Sequence, residues 1–376
     1  MTVTITTLTP PPGDSLCSEL LGVGVPQSSA ELWSCVAGLE ECSLYVARDD
    51  ADPRVCVLMW EVHRRAASQR RIADWTIADG GAHIDPAQLR IILDALVDAV
   101  IAQARQAGSV LVKAQTRGDD DALEDTLISR GFGKLDTPSG GVSFDAPEQF
   151  NFHEISGWVR RADGGALDVT TSPRYERQKT EFTCGPAAGI MALDAQGHQP
   201  TDGIDAELSI WREATYFGGS DHFGLALSLA DRGARVDVLA DVAGPLIGMS
   251  GSCALIPGSQ RQYIFNDHHK RALNAGVTER IGEFSLVDID RALDDGQVVV
   301  LLVDLHDITG EDVPHWILVW GRTEGAYLVH DPWSDEAWGE SWVETHTVAV
   351  EPQVLWNVAQ WSEGEREPHR AALLVG

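Results

Sequence analysis

The sequence predicts an α+β protein of two domains: an α/β unit over residues 1–150, and a domain over 165–376 in which a cysteine-bearing helix packs on an antiparallel sheet. Three observations carry this. The chain has 376 residues, 44% of them apolar, which suffices for more than one core at the usual domain size. Its first half alternates β-branched runs with one long amphipathic helix. Its second half sets an apolar helix behind Cys184-Gly185-Pro186 and, far downstream, two apolar strands joined by a tight turn.

Taken in order, Arg54 to Trp60 (RVCVLMW) follows an Asp-Pro and predicts a buried strand. Arg71 to Ile77 predicts a second, punctuated by Asp79-Gly80-Gly81. From Pro86 to Ala107 the pattern is helical. Asp85 can cap it, Pro86 suits its first turn, and Leu89, Ile92, Leu93, Leu96, Val97, Val100 and Ile101 recur at helical spacing. Gly108 ends it and Val110 to Ala114 returns as a strand. Asp119 to Arg130 predicts another helix, closed by Gly131-Phe132-Gly133. Thr137 to Asp168, headed by Pro138-Ser139-Gly140-Gly141, is rich in Gly, Ser, Pro and Asp, and the domain junction is expected near residues 150 to 170.

This order of elements resembles the C-terminal half of a GNAT-type N-acyltransferase. Such enzymes place an Arg/Gln-x-x-Gly-x-Gly/Ala loop at the start of the long helix, where backbone N–H groups hold the cofactor pyrophosphate. Here the matching stretch, Ile77 to Arg90, reads IADGGAHIDPAQLR and lacks that loop. Asp79 and Asp85 stand where a diphosphate would want positive charge. The resemblance thus implies a GNAT-like remnant without an intact acyl-CoA loop, or a domain with only a structural role at the catalytic cleft.

The balance of 28 Lys+Arg against 57 Asp+Glu gives a net charge of −29. Such a field repels phosphate backbones and anionic lipid, so neither nucleic acid nor a membrane surface is an expected partner. It serves solubility, or alternatively an acidic cleft for a cationic or amine-bearing substrate. The longest apolar run, Val298 to Val303, is too short to span a bilayer. Met1 to Pro12 is Thr/Pro-rich and lacks the basic and apolar regions of a signal peptide. The cysteines, Cys17, Cys35, Cys42, Cys56, Cys184 and Cys253, contain no C-x-x-C pair. Reduced thiols and a cytoplasmic location are therefore expected, with no disulfide scaffold, metal or cofactor.

The chemistry concentrates in four places. Arg174 to Asp194 reads RYERQKTEFTCGPAAGIMALD, a polar approach entering an apolar helix with Cys184 at its start. A helix N-terminus favours a thiolate through its dipole and free N–H groups. The same N–H groups can donate to an oxyanion, and Gln178 could supply a further donor from the approaching loop. A nucleophilic thiol also needs a base and a group that orients the base. Pro314 to Gly321 (PHWILVWG) puts His315 at the head of an apolar strand ending in Gly321; Arg322 to Gly325 turns, and Ala326 to His330 returns, ending on Asp331-Pro332. In such a hairpin the first residue of one strand and the last of the next lie at the same end, so Asp331 can hold the His315 imidazole. Cys184 and His315 stand about 130 residues apart, within the span papain-like enzymes use.

Gln178, Cys184-Gly185-Pro186-Ala187, His315 to Val319 with Gly321, and Asp331-Pro332 together resemble the C39 peptidase family and its C39-like relatives. The resemblance covers about residues 170–376. It implies a papain-like cysteine peptidase fold with Cys184 as nucleophile, His315 as base, Asp331 as its orienter and Gln178 in the oxyanion hole. Glu213 to Gly219 and Phe223 to Leu227 resemble the glycine-containing segment and helix that follow the nucleophile helix in this family. Best-known members are fused to transporters and cut leader peptides after a double glycine; no membrane span and no G-x-x-x-x-G-K-[ST] loop is present here. The expectation is a cysteine hydrolase acting on a peptide or a small amide or thioester. An acyltransferase or amide-forming enzyme passing the acyl group from Cys184 to an amine is the alternative, and a non-catalytic binding module a second. The sequence does not give the oligomeric state.

Other residues invite weaker readings. His222, beside Asp221 and near Gly219, is expected in a loop that could line the cleft, making His222 and Gly219 candidates for substrate binding. Trp316 and Trp333 flank the proposed base and orienter, and could shield the pair or wall a pocket; Trp320, Trp338 and Trp342 are expected in the core. Cys253 is expected to be structural. His330 should point away from Asp331. His268-His269 with Asp267 is not expected to bind metal, because adjacent residues diverge in direction.

Overall fold

The computed structural model describes residues 2–10, 15–36, 41–80, 83–118, 120–138, 154–198, 203–215, 219–250, 254–336, 339–364 and 366–376. Ser139-Gly140-Gly141, Tyr216 to Gly218, Cys253 and Trp338 lie outside them, as do Gly81 and Asp119. The fold is α+β, with two mixed sheets in two compact units. Among the described residues no helix is long and apolar enough to cross a membrane.

The first unit comprises Met1–Thr137, Asp145–Val169 and Asp335–Glu344. Its elements are β1 (Val3–Leu8), α1 (Leu16–Gly22), α2 (Gln27–Val36), β2 (Glu41–Asp49), β3 (Cys56–His63), β4 (Gln69–Ile77), α3 (Pro86–Gln106), β5 (Leu111–Arg117), α4 (Asp121–Ser129), β6 (Gly133–Lys134) and β7 (Ile155–Arg161). The strands form one sheet in the order β1-β2-β3-β4-β5-β7-β6. Every pairing is antiparallel except β4 with β5, where α3 makes the crossover that a parallel pair requires. Asp85 caps α3 by accepting from Ala87 and Gln88, with Pro86 in the first turn. Ile92, Leu93, Leu96, Val97 and Val100 are buried against Tyr45, Met59 and Ile72 on one sheet face. At about 1.5–3 kcal/mol for each large apolar side chain buried, that stripe anchors the unit. The other face is covered by α1 and α2, with Trp33 stacked on Trp60 at 5.4 Å.

Residues 335–344, expected by sequence to lie in the C-terminal domain, pack within this first unit. Arg71 on β4 and Lys113 on β5 are both buried in the sheet, and buried charges need partners. The Glu344 carboxylate pairs with Arg71 and accepts from Gln69, while Lys113 Nζ donates to the carbonyls of Val343 (3.0 Å) and Glu344 (2.9 Å). Glu340 pairs with Arg64 at 3.2 Å.

The second unit comprises Pro138–Phe144, Thr170–Ser334 and Thr345–Gly376. It runs through α5 (Cys184–Ala195), α6 (Gly203–Ala214), α7 (His222–Asp231), β8 (Val236–Ala240), α8 (Gly258–Asn274), β9 (Thr278–Ile281), α9 (Leu286–Asp294), β10 (Val298–Asp304), α10 (His306–Thr309), β11 (Pro314–Thr323) and β12 (Ala326–His330). After α11 (Trp342–Thr345), at the unit boundary, come β13 (Val348–Val350), α12 (Pro352–Val358) and β14 (Ala371–Val375). The sheet order is β13-β12-β11-β10-β14-β8-β9, antiparallel except for β8 with β9. Helix α5 packs on β10 and β11, with α6 and α7 against it. Strand β11 does not end at Gly321 as expected. A bulge at Trp320 shifts the register, and pairing continues through Arg322↔Tyr327 to Thr323↔Ala326. The turn falls at Gly325, whose φ of 85° suits a residue without Cβ.

Candidate active site

Cys184 is the first residue of α5, and its helix N-terminus is left open. Thr183 occupies the N-cap position but makes no side-chain cap bond, where a threonine hydroxyl would ordinarily accept from the second or third N–H. Pro186 has no N–H to offer. The N–H groups of Cys184 and Gly185 precede the first intrahelical bond, which runs from Ala187 N to Thr183 O at 2.9 Å. Small residues let α5 sit close to its neighbours. A Cβ on Gly185 would meet Ser220 Cβ at 3.1 Å and Trp316 Cδ1 at 3.2 Å; one on Gly189 would meet Leu229 Cδ2 at 2.9 Å.

The β11–β12 hairpin brings His315 and Asp331 together. His315 Nε2 lies 2.7 Å from Asp331 Oδ1, with both side chains buried. That leaves Nδ1 as the other ring nitrogen, and Cys184 is close enough to act on the imidazole. Burial lowers the affinity of this imidazole for a proton. The Asp331 charge, the Asp331 hydrogen bond and Cys184 outweigh that and push its pKa up to about 9. Asp331 Oδ1 also accepts from the Trp333 backbone N–H at 2.9 Å, and its own backbone is held by Tyr175 Oη, which donates to Asp331 O at 2.8 Å. A further tie runs from Asp331 N to Thr345 O at 3.1 Å.

The loop approaching Cys184 is bonded to the same hairpin. Gln178 N donates to Pro332 O at 2.9 Å, and Arg177 donates to Ser334 Oγ (2.8 Å) and Ser334 O (3.1 Å). Gln178 is buried; its side-chain amide donates to Thr180 O at 2.8 Å, and Oε1 has no partner. The arrangement thus has a thiol at the start of a helix, an imidazole whose basicity a carboxylate raises, and a buried carboxamide on the loop that leads to the thiol.

The weaker candidates fall elsewhere. Trp316 is 1% exposed, donates from its indole to Ser220 O at 3.0 Å and packs behind α5. Trp333 is half-buried. Gly219 is half-buried too, its carbonyl accepting from Thr215 Oγ1 at 2.6 Å. His222 is not in a loop: Asp221 accepts from Gly224 N at 2.9 Å and caps α7, with His222 in its first turn. Its ring lies against Phe223 and Phe265 and is 1% exposed; burial drives its pKa down to about 4. His268 and His269 turn to different partners, Asp221 (3.3 Å) and Glu279 (2.7 Å). Among the described residues no group of three or more His, Cys, Asp or Glu could hold a metal. His330 bonds Ser172, Pro173 O and Thr347 N, away from the Cys184 corner. The sequence did not flag Tyr175, Thr183 or Glu207. Only Thr183 carried a signal, being the residue before Cys184.

The chain belongs to the Peptidase_C39 like family, whose model matches residues 173–376. No curated protein sequence matches the chain. Solved acetyltransferases match its N-terminal part. An IAA acetyltransferase from Bacillus cereus is 13% identical with a TM-score of 0.29, over 43% of this chain and 99% of its own. A GNAT family acetyltransferase from Elizabethkingia anophelis with acetyl-CoA bound is 16% identical with a TM-score of 0.27, over 42% and 97%. Spermidine N-acetyltransferase from Vibrio cholerae is 8% identical with a TM-score of 0.29, over 43% and 94%.

Proposed function

We propose that this protein is a papain-like cysteine hydrolase that opens an amide or thioester through an acyl-enzyme on Cys184. The observation that carries the reading is the imidazole of His315, bonded through Nε2 to Asp331 and influenced by Cys184 at the start of a helix. At neutral pH His315 already holds the proton as an imidazolium beside the Cys184 thiolate, and that sulfur adds to the substrate carbonyl. The N–H groups of Cys184 and Gly185, with Gln178, stabilise the oxyanion. The intermediate collapses as His315 returns the proton to the leaving amine or thiol. Water, deprotonated by His315, then attacks the thioester and frees the acid and Cys184. Substrates in this reading are peptides or small amides and thioesters, and the net charge of −29 suits an amine-bearing one.

Iodoacetamide at pH 6 tests the nucleophile. Cys184 should be alkylated fast and selectively in the wild type, and slowly in His315→Ala. A Cys184 no faster than the other five thiols would refute the assignment. Mass spectrometry of acyl-Cys184, challenged with water and then with primary amines, decides the acceptor. Faster discharge to amines would convert the hydrolase into an acyltransferase.

A further inference from the structure

One buried carboxylate lies outside the Cys184–His315–Asp331 set yet bonds both ends of the loop leading to the nucleophile. Glu207, on α6, is fully buried. Its Oε2 accepts from Lys179 N at 3.0 Å and from the Thr183 hydroxyl. Those residues bracket the segment whose neighbours are Gln178 on one side and Cys184 on the other. We propose that Glu207 is a positioning residue that holds Gln178 and the α5 N-terminus in register and keeps that terminus open to the oxyanion; this rests on Cys184 being the nucleophile.

The argument is one of hydrogen-bond accounting. A threonine at the N-cap position can accept from the second N–H of its helix, here that of Gly185, since the third residue is Pro186. Here the hydroxyl is drawn away: it donates to Glu207, and Thr180 Oγ1 sits 3.0 Å from it. Gly185 therefore keeps its N–H for substrate, beside that of Cys184, which an N-cap side chain does not reach. The same oxygen fixes Lys179 N, the peptide that follows Gln178, while Gln178 N is fixed to Pro332 O from the hairpin side. The two halves of the proposed oxyanion site are thus set by one acceptor atom. The other oxygen, Oε1, has no partner. A glutamine can place its carbonyl at Oε2 and its amide at Oε1, so both accepted bonds survive loss of the charge, whereas a methionine of similar length offers no acceptor.

Two reactions of Cys184 separate positioning from general damage. With p-nitrophenyl acetate the sulfur adds to the ester carbonyl, the oxyanion collapses, p-nitrophenolate leaves and an acetyl thioester remains. With iodoacetamide an S–C bond forms as C–I breaks and iodide leaves, and no oxyanion arises. Glu207→Met should cut the acylation rate constant about tenfold or more and leave alkylation of Cys184 within about twofold, and Glu207→Gln should restore acylation. Equal loss in both reactions, or no loss in acylation, would overturn the proposal. If Glu207→Met does not fold, Thr183→Val removes one end of the clasp and should lower acylation severalfold with alkylation unchanged; an unchanged ratio there overturns it equally. A wild-type Cys184 without selective alkylation instead removes the nucleophile assignment itself.

Discussion

His315 is held between two opposing influences, and its behaviour with pH follows from which one wins. Burial disfavours the imidazolium, but the charge and hydrogen bond of Asp331, with Cys184, push the pKa up to about 9. The charged ring should therefore persist across neutral pH, and the rate of Cys184 acylation should fall on an alkaline limb near pH 9. Because the folded pKa is raised above the unfolded value of about 6.5, the group adds stability that is fully present below about 6.5 and is lost as pH rises through about 9. Urea unfolding at pH 6 and at pH 9.5 checks this: the wild type should lose more stability over that interval than Asp331→Asn does. The same variant should bring the alkaline limb to lower pH. It should also lower the rate of a full catalytic cycle by roughly 10²–10⁴, the scale seen when a triad carboxylate is made neutral. A limb that stays in place would separate Asp331 from the titration of His315.

Among the elements, α5 and α7 show where a glycine is needed for contact rather than for turning. A Cβ on Gly224 would stand 2.2 Å from the Ala214 carbonyl oxygen and 2.8 Å from His268 Nδ1, and a backbone atom has nowhere to go. Gly224→Ala should therefore cost at least the ~1–3 kcal/mol of an overpacked core, read as a lower denaturation midpoint. Gly185 is different in kind, because its contacts at 3.1 and 3.2 Å are tight but can yield by tenths of an ångström. Gly185→Ala should keep most of the stability yet move the α5 N-terminus, lowering acylation of Cys184 about tenfold or more while the melting temperature changes by only a few degrees. A large fall in melting temperature with acylation intact would reverse that ordering. Helix α7 also shows how a local signal was missed. Asp221-His222 reads as a loop from its position after Gly219, but an aspartate three residues before Gly224 N is an ordinary helix cap.

At the scale of the whole molecule, the chain does not divide at a single point. Asp335–Glu344 returns to the first unit, where Glu344 meets Arg71, Gln69 and Lys113. Removing that carboxylate leaves two buried cations without it, so Glu344→Ala should destabilise by about 3–5 kcal/mol. Thermal unfolding followed by tryptophan emission would check this, since Trp33, Trp60 and Trp75 report on the first unit; a change under about 1 kcal/mol would mean that water replaces the carboxylate. Nothing in Ser334 to Thr345 announces this excursion. Its partner on β5, Lys113, lies 230 residues before Val343 and 231 before Glu344, and neither an arginine nor a lysine in a strand says which acid will meet it.

By itself the sequence determined the features whose physics is local. Asp85-Pro86 starts α3, the Cys-Gly-Pro opens α5, and two apolar strands across a short turn bring His315 to Asp331, because capping, helical period and hairpin register all act over a few residues. Only the tertiary structure decided which distant groups complete these elements: Glu207 reaching Lys179 and Thr183, Tyr175 reaching Asp331, and Glu344 reaching Arg71. Those bonds join residue types that are common everywhere in the chain, and their meaning comes from burial. A carboxylate in water needs no particular partner, but one removed from water must find one, and folding alone determines which.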